Sequence, residues 1–255
     1  MSFRFASLGS GSSGNATLVA FNESFILIDC GFSRLEIEKR IDKFDVHPGQ
    51  LKAIMVTHEH GDHSGGVYSL ASKYSIRVIG TSGTLIGANL VDRQLEVSEI
   101  RNYAPFRIEG FEIYPFPVPH DASEPSQFVI AVGDKKFGIL TDCGSKTPHV
   151  VEMLSGCDAL LVEFNHDLVM LNQSRYPVSL KNRVASNYGH LDNGAAIDIL
   201  QSIDRSRLKH VMAGHLSKEN NNPTLVREII ENTLNLTSGS VAIASQDDVS
   251  SWVEI

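Results

Sequence analysis

The largely apolar run LKAIMVT at 51–57 leads into Thr57-His58-Glu59-His60-Gly61-Asp62-His63-Ser64-Gly65-Gly66, where three imidazoles and two carboxylates fall within six consecutive positions. A buried strand that delivers donors into a Gly-rich turn requires a sheet whose strand ends open on a cleft, since the donors must leave the core that the strand builds. Alternate residues of an extended chain point the same way. His58 and His60 can therefore converge on one ion, while the turn at Gly61 redirects Asp62 and His63 towards a second. Imidazole and carboxylate suit zinc, manganese or iron in a hydrolytic centre. A solvated surface turn does not account for this density of donors directly after an apolar strand. A helix is expected from Ser64 to Lys73.

The remaining chain supplies such a sheet. FRFASL, ATLVAF and SFILID, in the first 29 residues, are rich in β-branched or aromatic residues and separated by Gly, Ser and Asn. Ser33 can cap a helix reaching about Phe44. QFVIAV, KFGILTD, DALLVEF, HVMAGH and VAIAS repeat the rhythm, with helices expected near 146–155, 192–203 and 223–235. This is an α/β pattern of two sheet halves with helices outside. No linker or fixed-period repeat divides it, so one domain over 1–255 is expected. Segment 166–191 reads as irregular.

The formal net charge of −8 excludes a generally basic nucleic-acid binder but leaves room for a local basic groove. Cys30, Cys143 and Cys157 are too scattered for a disulfide framework or a zinc knuckle, so reduced buried thiols are expected. Cys143 adjoins Asp142, but adjacent strand residues point apart, which argues against a thiol nucleophile. The start has no signal-peptide pattern and no stretch reaches the roughly 18 apolar residues of a membrane span, so a cytoplasmic protein without a membrane partner is expected.

The pattern H-x-H-x-D-H at 58–63 resembles the signature of the metallo-β-lactamase superfamily. That resemblance implies a four-layer αββα sandwich of two mixed sheets with outer helices, its ligands on loops at one edge. It also implies two divalent metal ions per chain (zinc, manganese or iron), held by His58, His60, Asp62, His63, His120, Asp142 and His215. His120, ending YPFPVPH, resembles the histidine that completes the first metal's set of three. Asp142, ending KFGILTD, resembles the carboxylate that bridges both metals, and His215, ending HVMAGH, the last histidine on the second. Asp29, in ILIDCG, resembles a recurrent aspartate that orients a metal-bound histidine.

His190 and His215 share the tripeptide Gly-His-Leu and compete for that last place. His215 is preferred because it ends a buried strand, whereas His190 precedes the helix start at Asp192-Asn193, in a loop that can overhang the metals. Two metals sharing a carboxylate can hold a hydroxide between them, because coordination lowers the pKa of water to about 7.

His63 disfavours the antibiotic-hydrolysing members of the superfamily. SLGSGSSGNAT at 7–17, EFNHD at 163–167 with RYP at 175–177, and GHLSKENN at 214–221 resemble the YycJ or WalJ group. This implies a bacterial metallohydrolase related to ribonucleases Z and J, without the inserted β-CASP domain, that degrades DNA from 5′ to 3′.

Glu163, His166 and His190 resemble the acid-base pair of ribonuclease Z relatives. His190 is then the proton donor and Glu163 its orienting partner, which with Asp62 make up the catalytic candidates. Ser10, Ser12, Ser13 and Asn15 form a turn able to approach an anionic oxygen. Arg175, Lys181 and Arg183 can supply a local positive field, and Asn165 and His166 shape the pocket. The alternatives are a small-molecule hydrolase of thioesters, lactones or cyclic phosphodiesters, and a mononuclear iron oxygenase of the same fold.

Overall fold

Each half of the chain builds most of one sheet. The computed structural model describes residues 2–91 and 93–255. In the first half β1 (Phe3–Gly9), β2 (Ala16–Phe21) and β3 (Ser24–Ile28) form an antiparallel meander, and α1 (Arg34–Asp42) crosses to β4 (Leu51–Met55), parallel to β3. There follow α2 (Gly61–Ser64), α3 (Val67–Tyr74), β5 (Val78–Thr81), α4 (Ser82–Gly87) and β6 (Val97–Ile100).

The second half repeats the plan. The strands β7 (Phe106–Ile108), β8 (Phe111–Pro117), β9 (Ser126–Val132) and β10 (Lys135–Leu140) are antiparallel, and α5 (Pro148–Leu154) crosses to the parallel strand β11 (Ala159–Glu163). After it come α6 (Leu168–Gln173), α7 (Val178–Val184), α8 (Asn193–Ser202), β12 (His210–Gly214), α9 (Pro223–Leu234), β13 (Val241–Ile243) and β14 (Val253–Glu254). Among the described residues the sheet orders are β14-β1-β2-β3-β4-β5-β6 and β13-β12-β11-β10-β9-β8-β7.

Three apolar clusters make four layers of these elements. Phe3, Phe5, Ile26, Phe128, Phe137 and their neighbours fill the space between the sheets, where the Phe5 and Phe137 rings stack at 4.0 Å. A second cluster packs α1 and α3 on the outer face of the first sheet, and a third packs α5, α8 and α9 on that of the second. Covering both faces explains why β2, β11 and the last four residues of β10 are buried on both sides and mostly apolar. The chain thus has the αββα sandwich of two mixed sheets expected from its motifs.

Helix starts follow local chemistry. Ser33 caps α1 by accepting from Glu36 N; Thr147, Asp192 and Asn222 cap α5, α8 and α9 in the same way. Two expectations need correction. The helix placed from Ser64 to Lys73 is split between α2 and α3, because Cys30 takes over the local backbone bonds: its N–H donates to His63 O (2.8 Å) and its carbonyl accepts from Gly66 N (2.7 Å). A Cβ on Gly66 would lie 1.9 Å from Phe32 O, so only glycine permits that approach. The segment read as irregular holds α6, capped by Asp167, and α7, which buries no residue and so carries no apolar periodicity. Among the described residues no helix is long and apolar enough to cross a membrane.

Candidate metal centre

The donors collect where strands end. Asp29 follows β3, His58 follows β4, Asp142 follows β10, Glu163 ends β11 and His215 follows β12. Asp29, Asp142 and His215 have φ of 61°, 51° and 53°. This left-handed turn, uncommon outside glycine, swings each chain sharply at the sheet edge, a strain typical of functional sites.

His58, His60 and His120 form one group. His58 Nε2 lies 3.0 Å from His60 Nδ1, and His120 Nε2 lies 3.3 Å from the same nitrogen. His120 Nδ1 is 3.0 Å from Gly189 O, which can only accept, so Nδ1 carries the proton and the Nε2 lone pair faces the other rings. Burial, reinforced by the neighbouring His63, pushes His58 well below the ordinary histidine range, and burial likewise lowers His120. Both therefore stay neutral, the form in which imidazole binds metal.

Asp62, His63, Asp142 and His215 form the adjoining group. Asp62 Oδ2 is 3.7 Å from His63 Nε2 and from His215 Nε2. Asp142 Oδ2 lies 2.9 Å from His63 Nε2 and 3.0 Å from His215 Nδ1. His63 Nδ1 donates to Asp29 Oδ2 (2.8 Å), and Asp29 also accepts from Thr57 N (2.8 Å) and Thr57 Oγ1 (2.9 Å). Asn15 Oδ1 accepts from Gly11 N (2.8 Å), and its Nδ2 lies 3.0 Å from His63 Nε2.

Burial alone would raise the Asp142 carboxyl, but the His215 and His63 imidazoles together hold it well below the usual carboxylate range. The converse applies to His215, which burial would lower and Asp142 and Glu163 raise to about 10. Protons and a cation are rival occupants of the same lone pairs here.

A metal fits these donors. Asp142 Oδ2 and His215 Nδ1 are buried and, despite their short separation, make no hydrogen bond. Buried polar atoms are nearly always bonded, so an unbonded carboxylate oxygen facing imidazole nitrogens is suited to a cation. The His58-His60-His120, His58-His63-Asp142 and Asp62-His63-His215 sets each bring three donor atoms within 4.8 Å of one another.

Beside them, Glu163 Oε1 accepts from His190 Nδ1 (2.7 Å), while its Oε2 accepts from Cys143 N (2.9 Å) and Leu191 N (3.2 Å). Although burial would raise Glu163, His190 and His215 hold it at about 2; burial would lower His190, but the Glu163 charge raises it. The Cys143 thiol donates to Ser145 O, and burial pushes it up to about 12, so it supplies no thiolate.

A pocket of about 450 Å³ opens over this centre. Of the nine residues expected to bind substrate, Ser12, Asn165 and Arg183 line it. Ser10 and Asn15 depart from expectation: both are buried, and Ser10 Oγ accepts from His215 N (2.8 Å) and donates to Asn15 Oδ1 (3.1 Å), so they brace the centre from behind. Ser13 and Arg175 lie outside the pocket, as does Lys181, whose Nζ donates to Asn172 O (2.7 Å). His166 is buried beside Asn165 and does not reach the pocket. Arg183 is not a free cation, because its Nε donates to Asp121 Oδ2 at 2.6 Å.

Several residues escaped the sequence. Tyr176, Ser217 and Asn220 also line the pocket, although RYP and GHLSKENN contain them. Glu59, inside the histidine cluster, accepts from Ser123 N (2.8 Å) and Oγ (2.7 Å), tying the first donor turn to the loop of His120.

Comparison with known proteins agrees with this geometry. Residues 25–211 match the family described as the beta-lactamase superfamily domain. The exodeoxyribonuclease YycJ of Bacillus anthracis is 31% identical over 242 residues, covering 92% of this chain and 90% of that protein. The exodeoxyribonuclease WalJ of Streptococcus pneumoniae (serotype 2, strain D39) is 32% identical over 242 residues, covering 91% and 88%. The metallo-β-lactamase fold protein YhfI of Bacillus subtilis superposes with a TM-score of 0.77 over the whole of both chains, at 16% identity.

Proposed function

Since this chain belongs to the β-lactamase superfamily and is a metal-dependent hydrolase, we propose that it is a dinuclear phosphodiesterase degrading DNA from the 5′ end. The observation that carries this is the run of overlapping donor clusters, in which Asp142 joins His58 and His63 on one side and His215 on the other, with His190 on the wall of the open pocket and the buried Glu163 behind it. His58, His60 and His120 would hold one ion, Asp62, His63 and His215 the other, and Asp142 both. Zinc, manganese and iron all suit the nitrogen and oxygen donors. Bound there, the ions supply Lewis acidity, which lowers the pKa of water and polarises a phosphoryl oxygen. Residues 1–255 act as one domain around this centre. Relatives named as exodeoxyribonucleases, matched over about nine-tenths of their length, support the choice of DNA.

The chain's own residues handle the proton. Glu163 engages His190 Nδ1, which leaves Nε2 on the opposite side of the ring to protonate the departing oxygen. Asp29, through His63, and Gly189, through His120, fix two of the imidazoles.

End-labelled oligonucleotides, given with each metal in turn, test the activity; release of labelled mononucleotide from the 5′ end is expected. His190→Ala should keep its metals and cleave a nitrophenyl phosphodiester at near-normal rate, because nitrophenolate leaves unaided. It should lose about 10²–10⁴-fold on the oligonucleotide, whose alkoxide needs the proton. Equal losses on both substrates would remove the acid role.

A further inference from the structure

Behind the turn that carries His215 lies a second cavity, of about 480 Å³. Ser217 forms a wall of both spaces, and Ser10, which braces His215 through its backbone N–H, lines the second one. Leu216, Pro223, Ile243 and Ala244 give it an apolar floor, and the ion pair of Lys218 with Asp247 (2.6 Å) stands at its rim. Its two amides are already engaged. Gln246 Nε2 donates to Leu216 O (2.9 Å) and Gln246 Oε1 accepts from Ser13 N (3.3 Å), while Asn221 Nδ2 donates to Phe164 O and Asn193 Oδ1, both at 2.8 Å.

We propose that this cavity is a nucleoside subsite, receiving the base and sugar of the nucleotide that adjoins the phosphate at the metal centre, without selecting the base. The inference rests on the phosphodiesterase reading and specifies how that substrate is seated. A nucleoside joins flat apolar faces to a polar sugar and is tethered to its phosphate, which matches a largely apolar cavity that shares Ser217 with the polar, metal-binding one. Reading a base edge requires free donors and acceptors, as when Asn or Gln pairs with adenine. Here Asn221 is held by Phe164, Asn193 and Asn222, Gln246 is anchored to Leu216 and Ser13, and Lys218 pairs with Asp247, so shape and apolar contact dominate.

Calorimetry on the metal-loaded protein with thymidine 5′-monophosphate, deoxyadenosine 5′-monophosphate and deoxyribose 5-phosphate tests this. Both nucleotides should bind about tenfold or more tightly than the sugar phosphate, the scale expected from burying a base face against apolar side chains, and within a few-fold of each other. Ser245→Trp, which fills the cavity from its exposed rim, should abolish the advantage and leave sugar-phosphate affinity unchanged. Ser245→Ala loses the same hydroxyl, which accepts from Asp247 N (3.0 Å), without filling the space, and should retain it. Equal affinity for all three ligands in the unaltered protein overturns the subsite whatever the variants do, as does an advantage that survives Ser245→Trp. A strong preference for one nucleotide overturns the claim that the base is not selected. If nucleotides show the advantage but oligonucleotides are not degraded, the subsite stands and the nuclease reading falls.

Discussion

Asp29 and Asp142 occupy matching places in the two halves of the molecule and end up with different tasks. Each sits in nearly the same hexapeptide, ILIDCG at 26–31 and ILTDCG at 139–144. Each leaves its strand with positive φ, each precedes a buried cysteine, and each leads to a helix that crosses to a parallel strand. The surroundings divide them. Thr57 and His63 satisfy both oxygens of Asp29 with donors. Asp142 Oδ2 faces His63 from the other half and His215 from β12, and forms no hydrogen bond. One local code therefore yields a scaffold carboxylate where donors saturate it and an open one where they do not.

The largest expected effect separates the pair by activity. Asp142→Ala should lose far more than the roughly 10–100-fold that removing an outer partner of a metal ligand costs, while Asp29→Ala should fall within that range. Steady-state rates and metal analysis check this, and equal losses would erase the distinction.

Denaturant melts of the chelated protein test the scaffold role of Asp29 on its own. Asp29→Ala strands the buried Thr57 N–H, which should cost about 1–3 kcal/mol. Restoring metal should stabilise the unaltered protein by about 2.7 kcal/mol at a free concentration a hundred times Kd, and Asp142→Ala by clearly less.

The halves are also tied across the sandwich. Ser10→Ala removes the acceptor for His215 N, so about 1–3 kcal/mol of stability should go. A smaller loss would mean that water replaces the hydroxyl.

The smallest effect belongs to the outer helices, where Glu38 on α1 meets Lys73 and Tyr74 on α3 and Arg34 on its own helix. Burial works to raise Glu38, but Lys73, Arg34 and Tyr74 lower it from the ordinary 4.5 to about 2. A carboxyl depressed in the folded state stabilises above its unfolded pKa and loses that contribution as pH falls through the folded one. Glu38→Gln should therefore lower the melting temperature slightly at neutral pH, with the difference shrinking below about pH 4.5 and vanishing near pH 2. Solvent screening keeps the effect small. A difference that persisted at pH 2 would trace to packing.

What lies close along the chain was legible in it. The donors at 58–63, the caps Ser33 and Asp192 and the apolar runs of the covered strands are local signals, since each rests on neighbours a few residues away. Even the kinship of Asp29 and Asp142 stands in their hexapeptides. Contacts between distant segments were not legible. No spacing reveals that Arg183 is held by Asp121 rather than left for phosphate, or that Ser10 braces His215. Nor does it show that β14, at the end of the chain, pairs with β1. Sequence alone determined which side chains could bind metal or move a proton. Tertiary structure decided which retained an unbonded lone pair, because hydrogen-bond saturation depends on every group the fold brings within about 3 Å, wherever it lies in the chain.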